Sequence, residues 1–322
     1  MKIAVLGARG LIGKNLLRIL EEEEVKCELD CFGSLDGVEV SLGNKILPVR
    51  KLESFEPEQY DLIFSAVDAN LINPFKSRIK KSGAIWVDKS SATRMDSDVP
   101  LVVPEVNGDK LNSVKVVASP NCVAIPVAIF LHAIREFGPT FVNVVTYQSV
   151  SGAGSKAMSA FFKEIKFSNM QALKHGMYYD DPMAFNVIPA IGEFEEHGNC
   201  DEEIKIVQEL HKILDTDELS MQIIASVARV PVTVGHMATI TFRLNENCNM
   251  QRMMKAIGDV GIVYLPGMAT PLIAAQEDSV FACRLRKHEN NMWSITLVCD
   301  NLRKGGALNA WQIAKKILSD KI

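Results

Sequence analysis

The spacing of apolar and polar positions changes character once along the chain. In KIAVLG (2–7), residues 3–6 form an unbroken apolar run closed by glycine, as expected of a strand buried on both faces. Over residues 11–20, Ile12, Leu16, Ile19 and Leu20 recur on one helical face. KCELDCF (26–32), YDLIFSAV (60–67) and GAIWVDKS (83–90) read as further strands, with a helical NPFKSRIKKS (73–82) before the last. Strand and helix alternate, so this half predicts βαβ units, a parallel sheet with right-handed crossovers and an open α/β fold of nucleotide-binding type.

After residue 122 the strands become longer and several alternate between apolar and polar positions. FVNVVTYQSVSG (141–152), SMQIIASVARVPV (220–232), HMATITFRL (236–244), VFACRLRKH (280–288) and MWSITLVCD (292–300) fit an antiparallel sheet with one covered face. This predicts a second, α+β domain. The closing GGALNAWQIAKKIL (305–318) carries Leu308, Trp311, Ala314, Ile317 and Leu318 at helical spacing, and its pattern leaves open which domain it joins.

Composition narrows the function classes. The 322 residues are enough for two domains, and 48% hydrophobic with 23% charged residues is the balance of a globular protein. A net charge of −4, with Lys and Arg scattered, gives no footprint for nucleic acid. The longest apolar stretch, around 123–131, is interrupted by Pro126 and is short of the ~20 residues that span a bilayer, so no membrane partner is expected. EEEE (21–24) reads as a solvated turn. The odd count of seven widely spaced cysteines suggests reduced thiols and a cytoplasmic setting. Cys27 and Cys31 lack a second pair or nearby histidines, which argues against zinc or any other metal.

Four stretches could carry chemistry. GARGLIG (7–13) sets Gly7, Gly10 and Gly13 three apart between the first strand and helix, where backbone can approach a pyrophosphate at a helix N-terminus. SPNCVAIP (119–126) places Cys122 behind a Pro-Asn turn and before a buried helical run. An isolated cysteine is most often a small core residue, whereas one at a helix N-terminus ionises below its reference pKa of about 8.5 and can act as a nucleophile. Arg94 lies in a Ser/Thr-rich loop after a strand of the first domain, either as a solvated charge or as an anion ligand. VARVPVTVGH (227–236) spaces Arg229 and His236 seven apart, so within one strand they would face opposite ways, and convergence requires a bend at Gly235.

GARGLIG, SSATRMDSDVPLVVPEVN, SPNC, YQSVSGAG, FNVIPAIGEFEEHGNCDEEIK, RVPVTVGH and DNLRKGGALNAWQIA, in this order, resemble the aspartate-semialdehyde dehydrogenase family across essentially the whole chain. The resemblance implies an oxidoreductase of amino-acid biosynthesis that reversibly reduces β-aspartyl phosphate to aspartate semialdehyde and phosphate. It implies a Rossmann-like nucleotide domain of residues 1–121 plus 303–322 and an α+β catalytic and dimerisation domain of residues 122–302. The active site would lie in the cleft between domains, and the protein would pair through its catalytic domain as a homodimer or homotetramer. Cys122 would be the nucleophile, His236 the acid/base that takes its proton, and Gln148 the residue orienting the acyl group. Arg229 would hold the substrate carboxylate, Glu202 its ammonium, and Arg94 with Lys205 the phosphate, with Asn121 also in the substrate site. The cofactor set would be Gly7, Arg9, Gly10, Leu11, Ile12, Gly13, Ser65, Ser151, Gly152 and Asn301.

The substrate's own charges agree with that set. A carboxylate, a phosphate and one ammonium need several cations and one anion, and the planar fork of arginine suits a carboxylate. Glu202 and Lys205, three apart in EEIK, also read as a plain helical ion pair. Where the family has Asn-Pro-Asn-Cys-Ser/Thr this chain has Ser119 and Val123, and Met237 with Ala238 follow the histidine in place of a serine and an acid. The family implies NADP. The loop after the second strand lacks the expected base, and Asp30, 20 residues after Gly10, stands near the place where an acid reads a ribose hydroxyl, which is compatible with NAD. Two alternatives stay open: a related acyl-phosphate reductase such as N-acetyl-glutamyl-phosphate reductase, disfavoured by Glu202, and a non-catalytic member that binds nucleotide or a partner.

Overall fold

The computed structural model describes residues 1–35, 37–167 and 175–319. Its first part runs β1 (Lys2–Leu6), α1 (Leu11–Glu22), β2 (Glu28–Gly33), β3 (Val38–Leu42), β4 (Lys45–Lys51), β5 (Leu62–Ser65), α2 (Ala69–Ser82), β6 (Ile85–Asp88), α3 (Pro104–Asn107) and β7 (Val116–Ala118). The seven strands order as β3-β4-β2-β1-β5-β6-β7, parallel except for the antiparallel β3/β4 pair. Both faces are covered, which explains the unbroken apolar run of β1. Ile3 and Val5 join one core with Leu16 and Leu20 of α1, while Ala4 and Leu6 join another with Ile72 and Ile79 of α2.

The β3/β4 hairpin went unread in the sequence. Pro48 and the charges of KILPVRK demote a strand reading, although the Gly43-Asn44 turn between two runs was an available signal.

The second part runs α4 (Ala124–Ala133), β8 (Pro139–Gln148), α5 (Gly154–Ile165), α6 (Asp201–Leu214), β9 (Gln222–Arg229), β10 (His236–Leu244), α7 (Met250–Asp259), β11 (Val263–Tyr264), α8 (Pro271–Ala274), β12 (Phe281–Lys287) and β13 (Met292–Cys299). Six strands order as β11-β12-β13-β10-β8-β9. The sheet is mixed: β8/β9 and β11/β12 are parallel, and the remaining pairs are antiparallel as the alternation predicted. α4 is apolar all round because nearly every residue in it is buried.

α9 (Leu308–Ser319) closes the chain on the first sheet, where Trp311, Ile313 and Ile317 join the α1 core and Asn309 Nδ2 donates to Val102 O and Ser119 Oγ. The chain thus divides into two compact units, Met1–Asn121 with the segment from Gly306, and Cys122–Gly305. In this division the return begins at Gly306. Asp300 is the reason: its Oδ1 accepts the N–H groups of Leu302 and Arg303, and its carbonyl that of Gly305, which keeps 303–305 with β13. Among the described residues no helix is long and apolar enough to cross a membrane, and none of the seven cysteines is joined in a disulfide.

Candidate active site

In the first unit the glycine-rich turn is built by backbone. Gly7 and Ala8 N–H donate to Phe32 O, Gly10 N–H donates to Gly7 O, and the first bond of α1 runs from Lys14 N to Gly10 O. The N–H groups of Leu11, Ile12 and Gly13 therefore have no carbonyl of a preceding turn to bond. Gly10 gives the helix no side-chain cap, and its first turn holds no acid. A Cβ on Gly13 would lie 2.2 Å from Gly7 O, and one on Gly7 2.4 Å from Ala66 O. This open cradle of N–H groups at a helix N-terminus fits the pyrophosphate of a dinucleotide. Arg9 is exposed on the same turn.

Two residues read with the nucleotide have their side chains engaged within this unit. Ser65 is 1% exposed, its hydroxyl between Asp88 Oδ1 and the indole N–H of Trp86, so it belongs to a buried network. Asp30 is placed by the parallel register opposite Ala4, two residues before Phe32, and is engaged by Arg50, Tyr60 and Lys2. The register sets Asp30 three residues before the end of β2. Arg94, also in this unit, is buried and donates from Nε to Ser119 O (3.1 Å) and from Nη2 to Lys89 O (2.8 Å). Asn121, at the unit's end, is buried as well.

In the second unit strand register does what the linear spacing left open. Arg229 ends β9 and His236 begins β10, two separate strands joined through Gly235 at φ +92°. Both flank β8: Gln148 pairs with Arg229, Tyr147 pairs with Met237, and His236 pairs with Cys299 on β13. Arg229, Gln148, His236 and Cys299 thus form one row across four strands, each at most 3% exposed. Gly152 packs against this row, since a Cβ there would lie 2.8 Å from Arg229 Nη1 and 3.1 Å from His236 Nε2. Arg229 Nη1 donates to Ser149 O at 2.8 Å, and Gln148 Nε2 donates to Glu202 Oε1 at 3.0 Å. Arg229 Nε and His236 Nε2 are buried with no hydrogen-bond partner among the described residues.

Glu202 sits in the first turn of α6, facing Gln148, while Lys205 is more exposed and pairs with Asp201 at 3.5 Å. The ion pair suspected between Glu202 and Lys205 is therefore an Asp201–Lys205 pair one turn apart. Cys122 is half-buried just before α4 and lies against Gly305, where a Cβ would come within 3.1 Å of its own Cβ. Burial pushes the Cys299 thiol well above its ordinary value, and the nearby charge of Cys122 adds to the shift. Burial first, and then Arg229, hold His236 well below the usual imidazole range, with the Gly235 backbone working the other way.

Ser151 and Asn301, grouped with the cofactor by resemblance, share a hydrogen-bond network in the second unit. Asn301 Oδ1 accepts from Ser149 Oγ, Ser151 Oγ and Gly235 N–H, and its Nδ2 donates to Ser151 Oγ. The network fixes the turn beside His236. Ser149, unassigned from sequence, emerges as its centre, because its N–H donates to His236 Nδ1 at 3.0 Å and its carbonyl receives Arg229. The signal for it in the sequence was a small polar residue directly after an alternating strand pattern.

Residues 2–114 match the family described as "Semialdehyde dehydrogenase, NAD binding domain", and residues 131–304 match "Semialdehyde dehydrogenase, dimerisation domain". The aspartate-semialdehyde dehydrogenase of Rickettsia conorii is 33% identical over 99% of this chain and 98% of its own. That of Aquifex aeolicus is 30% identical over 99% of this chain and 98% of its own. The crystal structure of aspartate semialdehyde dehydrogenase II from Vibrio cholerae, complexed with ASA, superposes with a TM-score of 0.92 at 29% identity, covering 100% of this chain and 99% of that one.

Proposed function

The chain belongs to the semialdehyde dehydrogenase family, and within it we propose that the protein is an NADP-dependent aspartate-semialdehyde dehydrogenase working through a Cys122 thioester. The observation that carries this reading is the buried row beside Cys122, with Arg229 Nε and His236 Nε2 both lacking hydrogen-bond partners among the described residues. Arg229 suits the substrate carboxylate, and Glu202, held by Gln148, suits the ammonium. Lys205 on the same helix is the cation within this unit for phosphate.

The chemistry follows from these groups. Cys122 Sγ attacks the acyl carbon, the phosphate departs, and the acyl group is held as a thioester. The glycine-rich turn of Gly7, Gly10 and Gly13 with the first N–H groups of α1 would hold the dinucleotide, which when bound supplies hydride to the thioester carbon. The Cys122 sulfur then leaves and the aldehyde is released. NADP is favoured over NAD because Asp30 is already engaged, while Arg50 and Lys51 stand level with Phe32 and Gly33 at the end of the neighbouring strand. The family's dimerisation domain supports a homodimer, and the free thiols support a reducing, cytoplasmic setting.

The deciding experiment is phosphate-dependent oxidation of aspartate semialdehyde by the purified protein, followed by absorbance of reduced nicotinamide, with NADP and NAD in parallel. Turnover should require phosphate, prefer NADP, and fall by about 10⁴-fold or more in a folded Cys122→Ala variant. Absence of turnover with either nucleotide would overturn the reading.

A further inference from the structure

We propose, resting on the reading of Arg94 as a phosphate ligand, that Asp88 is a positioning residue for anion binding in the first unit. Its buried carboxylate shapes the loop that aims the Arg94 guanidinium, so its loss weakens the grip on phosphate more than any other step.

The sequence puts DKSSATR (88–94) at the end of β6, with Asp88 as the last residue of that strand. Asp88 is fully buried, and donors from three residues converge on its two oxygens. Oδ1 accepts the Ser65 hydroxyl (2.5 Å) and the Ser90 N–H (3.0 Å), while Oδ2 accepts the hydroxyls of Ser90 (2.9 Å) and Thr93 (2.7 Å). These donors are neutral groups, and a carboxylate, unlike an amide, accepts on both of its terminal atoms. Ser90 Oγ extends the order by accepting the Ala92 N–H at 3.0 Å. The N–H groups of Ser90 and Ala92 are thus taken by side chains in place of a strand ladder. From outside, Lys76 Nζ of α2 donates to Ala92 O and Asp96 Oδ1, both at 2.8 Å.

Three fixed points of Arg94 lead back to Asp88. Thr93, the residue before Arg94, is bonded to the carboxylate. Lys89 O, which receives Nη2 at 2.8 Å, belongs to the residue after Asp88, whose own N–H is held by Ser65 O. Ser119 O, which receives Nε at 3.1 Å, belongs to a residue whose N–H donates to Asp88 O at 2.7 Å. These two carbonyls orient a guanidinium without cancelling its charge, and its planar fork suits a phosphate. A carboxylate buried among neutral donors is costly to keep where an apolar contact would hold a loop in place. A loop that must place a charged donor needs such rigidity, because a displacement of about 1 Å weakens a hydrogen bond steeply.

The test is steady-state kinetics of the full-length protein in the phosphate-dependent direction, with Asp88→Asn, Thr93→Val, Thr93→Ser and Arg94→Ala. Asp88→Asn turns an NH₂ group toward donors and should raise the KM for phosphate about 10-fold, with kcat and the KM values for aldehyde and nucleotide within about 2-fold of wild type. Thr93→Val removes one bond at nearly constant volume and should raise the phosphate KM about 5-fold, and Thr93→Ser should restore it. Should Asp88→Asn fail to fold, the two Thr93 variants decide. In the Arg94→Ala background Thr93→Val should add no further rise, a signature that a merely structural role does not produce. A phosphate KM unchanged in Thr93→Val, or equal losses for all three substrates, overturns the positioning role. A phosphate KM unchanged in Arg94→Ala overturns the reading of Arg94 and the proposal with it. If the wild type does not turn over aspartate semialdehyde, the substrate reading fails, and the rise of the urea midpoint in phosphate over chloride of equal ionic strength decides the anion site. A rise lost in both Arg94→Ala and Thr93→Val supports the role of Asp88, and a rise kept in either variant overturns it.

Discussion

The first unit presents its functional feature through backbone, and the second through side chains. Around the glycine-rich turn the working atoms are N–H groups, and most charges of that unit lie outside, as in the Arg18–Glu22 and Arg78–Glu58 pairs. In the second unit Gln148, Ser149, Glu164, Arg229, His236 and Asn301 are all buried, each with a specific polar partner. A site of backbone atoms tolerates many side chains but no intrusion, whereas a buried polar site tolerates intrusion poorly and loss of a partner even less.

The largest effect is expected from breaking the backbone site by adding one carbon. In Gly13→Ala the new Cβ would meet Gly7 O at 2.2 Å, so the turn must move. Nucleotide affinity should fall about 100-fold, by titration of intrinsic fluorescence, with a stability loss of ~2 kcal/mol by urea unfolding. Unchanged affinity would show that the N–H groups of this turn do not hold the ligand.

The next test removes one partner in the second unit. Glu164 is fully buried and uses both carboxylate oxygens, Oε1 on Met177 N–H and Oε2 on Met183 and Ala184 N–H. Glu164→Gln keeps the shape but turns an NH₂ group toward a peptide N–H. A loss of about 2 kcal/mol in urea unfolding is expected, and a neutral result would mean that a water or a shifted loop replaces the carboxylate.

The same contrast explains what the sequence disclosed. The glycine turn, the parallel sheet and the helical face of α1 are local patterns, and GARGLIG with its flanking strand and helix is visible within a dozen residues. Arg229, Gln148 and His236 are brought level only by pairing among β9, β8 and β10, and no linear spacing encodes that register. Resemblance supplied their grouping. It did not supply Ser149, whose contribution is a main-chain N–H, nor the hydrogen bonds by which Ser151 and Asn301 hold each other. The position of Asp30 is a matter of register too, since 20 residues after Gly10 it stands before the end of β2.

A smaller and graded effect should appear in acid. His236 is held well below the usual imidazole value, first by burial and then by Arg229, so below pH ~6.5 the unfolded chain binds a proton that the folded chain refuses. Stability must then fall as pH drops, by up to about 1.4 kcal/mol per pH unit from this group. Urea midpoints at pH 7, 6 and 5 should converge between wild type and His236→Gln at the acid end. Parallel lines would mean that the ring is already protonated when folded.

The smallest effect belongs to the surface of the first unit, and it tests whether geometry alone makes an ion pair matter. Arg78 grips Glu58 with two hydrogen bonds of 2.8 and 2.7 Å, a tighter fork than any contact of the buried row. Both side chains are about half exposed, at 49% and 50%. Water and salt screen such a pair, and its short distances do not offset the entropy of holding two long side chains in register. Arg78→Ala should therefore leave the urea midpoint where it is, at low and at high salt. A clear shift at low salt that vanishes in 1 M NaCl would show that this pair does more than anchor two side chains, and the division between a backbone site with an expendable charged surface and a site of buried side chains would no longer hold for the first unit.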